Sequence, residues 1–432
     1  MDSHHNTTGI ANRGFIALMA TLTCGAINDN VYRGMLLLAV VGNGIWAGQL
    51  GEGGTGPITF MLYAPFVVLL GFTGLLADRY SKRQIIVGSR IAELFLTFGV
   101  VGGMAIQSLP IACVFLILLA SQSAFFSPAK YGSVPELVDS RMLSRANGVM
   151  SLLTNASIVA GIAVAGYLMD AGELIGISGP LFVGLIMVCV AIIGLISSLF
   201  LPHQPPAKPE LKMSLNGFKT YWRTLKAMKG TDLAAATTAW CLFYAVGSLI
   251  LNIVPHYKDK GALDLSDGQA GSLLGAATLG IAIGGAVVGI GSGHSIRSIF
   301  VPAGALMMGI CFFILGLFKL DYVGVLVVLF ITGLSSGVFV VPILALLQHL
   351  PEPGFRARCV GTANFMTYLA MSISAVTYWV LSAWIGALPP VWFLISGCLM
   401  VIVTTWLFFL LPRLRRGSRA ESFSSIQDIE AA

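Results

Sequence analysis

The chain of 432 residues is 56% hydrophobic, and only 10% of its residues are charged. Soluble domains average roughly 25% charged residues, so this chain lacks the polar surface that water requires, and lipid is its expected solvent. The formal net charge is +6, but the basic residues sort by loop, which argues against a nucleic-acid partner. The seven cysteines are scattered without a CxxC or Cys/His cluster, so no metal site is expected.

Twelve apolar blocks follow one another along the chain. A membrane-spanning helix needs roughly 20 mainly apolar residues, and each block approaches that length. The first block is longer than a signal peptide and no cleavage site follows it, so it is expected to stay in the protein. The blocks predict an all-α membrane protein with twelve transmembrane helices, I to XII, at 14–40, 57–76, 85–106, 109–126, 143–169, 180–201, 233–254, 268–290, 299–318, 322–347, 360–385 and 389–411.

Lysine and arginine alternate between loops. The segments after helices II, IV, VI, VIII, X and XII are basic, whereas the intervening loops hold only Lys258, Lys260 and Lys319. By the positive-inside rule, this pattern predicts a multi-pass protein of the bacterial cytoplasmic (inner) membrane with both termini in the cytoplasm.

The chain is expected to form two six-helix halves, 1–201 and 231–412, with a linker at 202–230 and a cytoplasmic tail at 413–432. A proline near the end of helix IV precedes an asparagine that opens helix V, and the same order recurs in helices X and XI. This repetition predicts halves related by duplication. The linker is basic and amphipathic at 215–228, which indicates either an interfacial helix on an anionic leaflet or a plain solvated segment.

The clearest candidate site lies in helix I, where Asn28, Asp29 and Asn30 are adjacent and Arg33 follows Asp29 by four residues. Charged side chains inside a membrane are costly and usually functional, and residues four apart can pair on one helix face. One interpretation is a polar patch that faces a central cavity and binds a charged or zwitterionic head group. The alternative is a self-neutralised pair with two amides that join helix I to its neighbours.

Other polar side chains are candidates for the same cavity. Arg90 and Glu93 stand three residues apart in helix III and form either a second site or a structural pair. Asn147 and Asn155 in helix V and Asn364 in helix XI are candidates that interhelical hydrogen bonding would explain equally well. Since helices VII to XII carry no acidic residue deep in the membrane, the cavity is expected to be polar on one wall and apolar on the other, which suits an amphiphile.

The segment 71–83 resembles the loop motif between helices II and III of the major facilitator superfamily. Gly74 is expected to let helix II approach a neighbour, and Asp78 to pair with Arg79 or Arg83, or to accept hydrogen bonds from helix N-termini. These four residues are predicted to act in gating, with a simple basic anchor as the alternative. A run of glycines in helix VIII predicts either close packing or a helix that bends during gating.

Several stretches resemble the bacterial lysophospholipid transporter family of the major facilitator superfamily, over essentially the whole chain. They are Asp29-Asn30, 126–132, 146–148, 339–342 and 346–348, and the Ser-Pro-Ala-Lys-Tyr-Gly stretch is the most specific. The resemblance implies two six-helix halves and a flippase that moves lysophosphatidylethanolamine-type lipids from the outer to the inner leaflet by alternating access. It also implies transport without ion coupling, and a separate cytoplasmic acyltransferase as partner.

The resemblance also suggests roles for individual residues. Asp29, Asn30 and Arg33 would engage the head group, while Lys130 and Tyr131 would act at the cytoplasmic gate or receive the phosphate. Relatives can carry an arginine in helix VII, where this chain has Leu251, so Arg33 is hypothesised to supply that charge.

Two rival functions remain open. A proton-coupled exporter of drugs or small amphiphiles would need Asp29 or Glu93 to exchange protons, although each has a basic neighbour that favours its ionised form. The other rival is a non-transporting receptor or scaffold for a lipid-modifying enzyme. Enzyme activity and a cofactor are not expected, because the chain has no Walker A loop, HExxH, GxSxG or strand-borne dinucleotide motif.

Overall fold

The computed structural model describes residues 12–139, 142–206, 210, 217–291, 300–351 and 356–416. Within these ranges the chain forms thirteen α-helices, a 3₁₀ segment at Val254–Lys258 and no strand. Helices α1 to α6 correspond to the predicted helices I to VI, α7 lies in the linker, and α8 to α13 correspond to VII to XII. Their bounds are α1 Arg13–Ala39, α2 Thr55–Arg79, α3 Lys82–Ala105, α4 Leu109–Leu137, α5 Leu143–Leu174, α6 Gly179–Leu199, α7 Gly217–Met228, α8 Asp232–Ile253, α9 Asp267–Gly291, α10 Phe300–Leu317, α11 Tyr322–His349, α12 Arg356–Ile385 and α13 Pro389–Arg416.

Eleven helices in the described part of the chain, α2 to α6 and α8 to α13, are long and apolar enough to cross a membrane. Helix α1 has the necessary length, since its 27 residues extend about 40 Å at 1.5 Å per residue. Its apolarity is reduced by the adjacent Asn28, Asp29 and Asn30. The all-α architecture with twelve membrane-length helices is therefore confirmed.

Helix α4 is much longer than predicted. The expected end was Phe126, but the helix continues through Pro128 and Pro135 to Leu137. Proline removes one intrahelical hydrogen bond, and membrane helices tolerate this loss when neighbouring groups satisfy the backbone. Here Phe126 and Leu137 are buried in a core cluster with side chains of α1, which favours a continuous helix. Lys130 therefore lies on a helix rather than in a loop.

The first compact unit comprises Met1–Leu50, Met61–Leu215 and Leu265–Gly275. Within it, α1 packs against α5 and α6, and α3 packs against α4 and α6. The start of α9 also belongs to this unit, where the backbone N–H of Gly268 donates to Asp170 Oδ2 at 2.9 Å. The carboxylate of α5 thereby caps the N-terminus of α9, which an acidic group stabilises.

The second compact unit comprises Gly51–Phe60, Asn216–Asp264 and Ala276–Ala432. Within it, α10 packs against α11 and α13, and α8 packs against α12. The start of α2 is joined to α8 through Asn252. Thr59 Oγ1 donates to Asn252 Oδ1 at 2.6 Å, and Thr55 Oγ1 donates to the Asn252 carbonyl at 2.9 Å.

The glycines of α9 allow close helix packing. A Cβ atom added at Gly284 would collide with the carbonyl oxygen of Leu334, and one added at Gly333 would collide with that of Ala277. Helices α9 and α11 therefore approach each other backbone to backbone. The packing interpretation of this glycine run is confirmed, and its bending stays a prediction.

Candidate functional site

A fully buried polar network joins α1, α3 and α6 in the first unit. Arg90 and Glu93 form an ion pair, and their side chains are only 2% and 1% exposed. Asn28 Nδ2 donates to Glu93 Oε1 at 3.0 Å and to the Met187 carbonyl at 3.1 Å. The Arg90 guanidinium also lies 4.2 Å from the centroid of the Phe126 ring on α4. We call Asn28, Arg90 and Glu93 the inner network.

The helices supply room for the inner network. Arg90 and Glu93 are three residues apart and so lie on one face of α3. A side chain at Gly25 of α1 would collide with the Arg90 guanidinium, so glycine leaves the space that the cation occupies. Buried charges are tolerated when they are paired and hydrogen-bonded, and both conditions are met here. The geometry favours the structural interpretation of Arg90 and Glu93, with Asn28 joined to them.

A second pair of charges lies beside the inner network on α1 and α4. Asp29 Oδ2 accepts a hydrogen bond of 2.6 Å from Ser123 Oγ, and Lys130 lies seven residues further along α4. Asp29 and Lys130 are both half-buried and interact electrostatically. No ion pair within the described residues joins them. We call Asp29, Ser123 and Lys130 the open face.

Lys130 also lies beside aromatic rings. Its Nζ atom is 5.9 Å from the centroid of the Phe126 ring and 4.6 Å from that of Tyr131. A cation over an aromatic face is stabilised without losing its charge. Lys130 therefore remains available to an anionic group, with Tyr131 56% exposed beside it.

The other polar residues of α1 point to different neighbours. Arg33 is buried, and its Nη1 donates to the Tyr63 hydroxyl on α2 at 3.3 Å. Asn30 Nδ2 donates to the carbonyl of Ala26 in its own helix at 2.7 Å. The Asp29–Arg33 pair predicted from the spacing is wrong, because the two side chains diverge toward α4 and α2.

Three predicted asparagines are not part of these contacts. Asn147 on α5 and Asn364 on α12 are exposed and form no hydrogen bond within the described residues. Asn364 belongs to the second unit. The side chain of Asn155 lies outside the described part of the structure. All three stay predictions.

The predicted gating motif has contacts that differ from those expected. A Cβ atom at Gly74 would meet no atom within 4 Å, so the predicted close approach there is wrong in this conformation. Asp78 is exposed, and the Arg79 guanidinium lies 5.6 Å from the Tyr80 ring centroid. Arg83 Nη2 donates to the Leu199 carbonyl at the end of α6, at 3.3 Å.

An unpredicted ion pair joins the same region to α4. Lys82 at the start of α3 contacts Glu136 in the last turn of α4. Sequence spacing does not predict this pair, because Glu136 falls in a predicted loop after helix IV. The junction of α2 and α3 is therefore held to α4 and α6.

Sequence reasoning also missed Ser123, the partner of Asp29. Ser123, Phe126 and Lys130 share one face of α4 at spacings of three and four residues. This spacing is visible in the sequence, but a helix that is predicted to end at Phe126 does not include Lys130. The same error separated Lys130 from the membrane-embedded charges.

The fold and the two charge clusters define a multi-pass membrane protein with a polar region in its first unit. A family model described as Major Facilitator Superfamily matches residues 18–375. The chain belongs to the major facilitator superfamily.

Curated relatives cover most of the chain. It is 26% identical over 365 residues to the lysophospholipid transporter LplT of Enterobacter sp. (strain 638), covering 81% of this chain and 83% of that protein. It is also 26% identical over 381 residues to LplT of Photorhabdus laumondii, covering 84% of this chain and 86% of the relative.

Solved structures share the fold. A bacterial homolog to the human lysosomal transporter Spinster has a TM-score of 0.72 at 14% identity, covering 96% of this chain and 100% of that one. A POT family transporter in complex with a thioalcohol conjugated peptide also has a TM-score of 0.72, at 13% identity, covering 93% and 96%. These similarities establish the architecture alone.

Proposed function

We propose that the protein is a lysophospholipid transporter and that its open face binds the polar head group. The observation that carries the proposal is the presence of two opposite charges, Asp29 and Lys130, that are half-buried and not joined by an ion pair. A lysophosphatidylethanolamine head group carries a phosphate and an ammonium a few bonds apart. Lys130 suits the phosphate and Asp29 suits the ammonium, since hydrogen bonds between ionised groups are the strong ones.

The relatives support this substrate class, because the Enterobacter and Photorhabdus proteins are both named lysophospholipid transporters. The inner network supports the assignment of roles. Since Glu93 already accepts from Arg90 and Asn28, it has little capacity left for a ligand. We assign to the inner network the role of positioning Asp29, because Asn28 directly precedes Asp29 in α1.

Lys130 is a better basic ligand than Arg33. Arg33 is 8% exposed and donates to Tyr63, so it would have to leave a buried position to reach a head group. We therefore assign Arg33 to the contact between α1 and α2, and Tyr131, which is exposed next to Lys130, to the rim of the open face.

The direction and coupling of transport are part of the proposal. We infer alternating access that moves the lipid from the outer to the inner leaflet of the bacterial cytoplasmic membrane, where a separate cytoplasmic acyltransferase would consume it. The basic loops support an orientation of the chain with both termini in the cytoplasm. The locked state of Glu93 supports transport without ion coupling, because a coupling carboxylate must exchange its proton.

The direct test is reconstitution of the full chain into liposomes. Labelled lysophosphatidylethanolamine is supplied outside, and its arrival in the inner leaflet is followed by its protection from extraction with albumin. We expect protein-dependent movement without any imposed gradient, and we expect Asp29→Asn to slow this movement about 10- to 100-fold. Asp264→Asn is the matched control, because Asp264 is exposed and has a positive φ of 51° that asparagine also tolerates. Movement no faster than in protein-free liposomes would reject the proposal.

A proton-coupled exporter of small amphiphiles is the second candidate. Asp29 favours it, because this carboxylate is half-buried and accepts only the Ser123 hydrogen bond among the described side chains. An imposed pH gradient separates the two functions. Uptake that depends on the gradient, with the dependence lost in Asp29→Asn, supports proton coupling and rejects the uncoupled mechanism.

A further inference from the structure

Helix α7, at Gly217–Met228, lies in the linker outside the membrane-length helices, and its residues are arranged for a membrane surface. Among its exposed side chains are two aromatic residues, Phe218 at 48% and Trp222 at 63%. Lys219, Arg223 and Lys226 are exposed as well, and the helix contains no acidic residue. A short helix with exposed aromatic and basic side chains is typical of interfacial membrane binding.

The order of these side chains around the helix is informative. At roughly 100° per residue, Trp222 lies about 40° from Phe218, and Lys226 and Lys219 follow within about 60° of Trp222. An aromatic edge thus borders a basic edge on the same exposed surface. Aromatic rings prefer the boundary between head groups and acyl chains, and basic side chains prefer the anionic head groups just above it.

The opposite side of α7 is docked on α12. The Tyr221 ring stacks on Phe365 with a centroid distance of 4.6 Å and an interplanar angle of 13°. Phe218 meets the same Phe365 ring edge-on at 5.8 Å, and Met228 is buried. These contacts fix the rotation of α7: Phe218 lies at the border of the docked side, and Trp222 and the three basic residues lie on the exposed side.

We propose that the exposed edge formed by Phe218, Lys219, Trp222, Arg223 and Lys226 is a binding surface for anionic phospholipids of the adjacent leaflet. The partner is the lipid surface itself, and charge complementarity selects it, because three cations lie together with no acidic side chain in the helix. The binding claim does not depend on which molecule the protein transports.

Brominated-lipid quenching of Trp222 fluorescence tests this surface in the full-length protein. The protein is reconstituted into vesicles of phosphatidylcholine that contain brominated phosphatidylglycerol or, separately, brominated phosphatidylcholine. The signal of Trp222 is the difference between the wild-type chain and Trp222→Phe. We expect brominated phosphatidylglycerol to quench this signal at a lower mole fraction than brominated phosphatidylcholine does, and added salt to remove the difference.

Charge removal gives the decisive comparison. In Lys219→Gln/Lys226→Gln, each lost charge is expected to weaken the preference for the anionic lipid about fivefold. The matched control is Lys260→Gln/Lys319→Gln, which removes two exposed charges elsewhere and is expected to leave the preference unchanged. Equal quenching by both lipids, or a preference that survives loss of Lys219 and Lys226, overturns the proposal. Because no transport is measured, failure here is distinct from failure of the proposed function.

Discussion

The inner network and the open face are neighbouring regions built from similar groups, yet their environments differ. Arg90 and Glu93 are in contact and almost fully buried. Asn28 donates a hydrogen bond to the other oxygen of the Glu93 carboxylate. Asp29 and Lys130 are half-buried and are not joined by an ion pair. Charges that pair with each other inside the protein stabilise the helix packing, whereas charges that are not paired with each other can bind a ligand.

Breaking the inner network is expected to have the largest effect. Arg90→Met leaves the Glu93 carboxylate buried without its cation, which costs about 3–5 kcal/mol. The thermal unfolding temperature of the purified protein in detergent should fall accordingly. The double variant Arg90→Met/Glu93→Leu removes both charges and should recover most of this loss. An equal loss in the single and double variants would show that the pair is not the source of the stability.

Neutralising Asp29 should impair transport without unfolding the protein. Asp29→Asn keeps the size of the side chain but loses a charge-assisted contact worth about 1.5–3 kcal/mol, so lysophosphatidylethanolamine uptake should fall about 10- to 100-fold. The unfolding temperature should stay close to that of the wild-type protein, because Asp29 is half-buried and has a neutral partner in Ser123. A large drop in stability would assign Asp29 to the inner network instead.

Lys130 should show a smaller and partly reversible effect. Lys130→Gln is expected to lower uptake about tenfold, as loss of one charged hydrogen bond implies. Lys130→Arg should restore part of the activity, since arginine also binds phosphate. If arginine performs no better than glutamine, a positive charge at this position is not what transport requires.

Removing the Ser123 hydroxyl should have the smallest effect of the four. Ser123→Ala deletes the hydrogen bond to Asp29, worth about 0.5–1.5 kcal/mol, so uptake should fall about two- to tenfold. Ser121→Ala is the matched control, because the Ser121 hydroxyl donates to the Ile117 carbonyl of its own helix. Equal effects in the two variants would remove the special role of Ser123.

The sequence predicted the fold well because hydrophobic length is a local property. The apolar residues that define a membrane helix lie within roughly 20 consecutive positions. The sequence therefore predicts all twelve membrane-length helices that the described residues form. The predicted end of α4 is wrong because the true end depends on contacts that are not local in the sequence. Pro128 breaks the local pattern, whereas the packing of Phe126 and Leu137 that continues the helix depends on residues far along the chain.

The candidate site was predicted only in part. The residues of helix I stood out because polar groups are rare at that depth, but their partners could not be read from spacing. Asp29 and Arg33 are four residues apart, yet Arg33 donates to Tyr63 and Asp29 accepts from Ser123. Partner choice depends on which helices surround α1, and this is a property of the tertiary structure.

The most direct test of the open face compares two lysolipids that differ in one charge. Lysophosphatidylethanolamine carries an ammonium and a phosphate, whereas lysophosphatidylglycerol carries the phosphate without the ammonium. Uptake of both is measured in liposomes containing the wild-type chain, Asp29→Asn or Lys130→Gln. The account predicts that Asp29→Asn loses uptake of lysophosphatidylethanolamine selectively, and that Lys130→Gln loses uptake of both lipids. An equal effect of Asp29→Asn on the two lipids would contradict the assignment of Asp29 to the ammonium group.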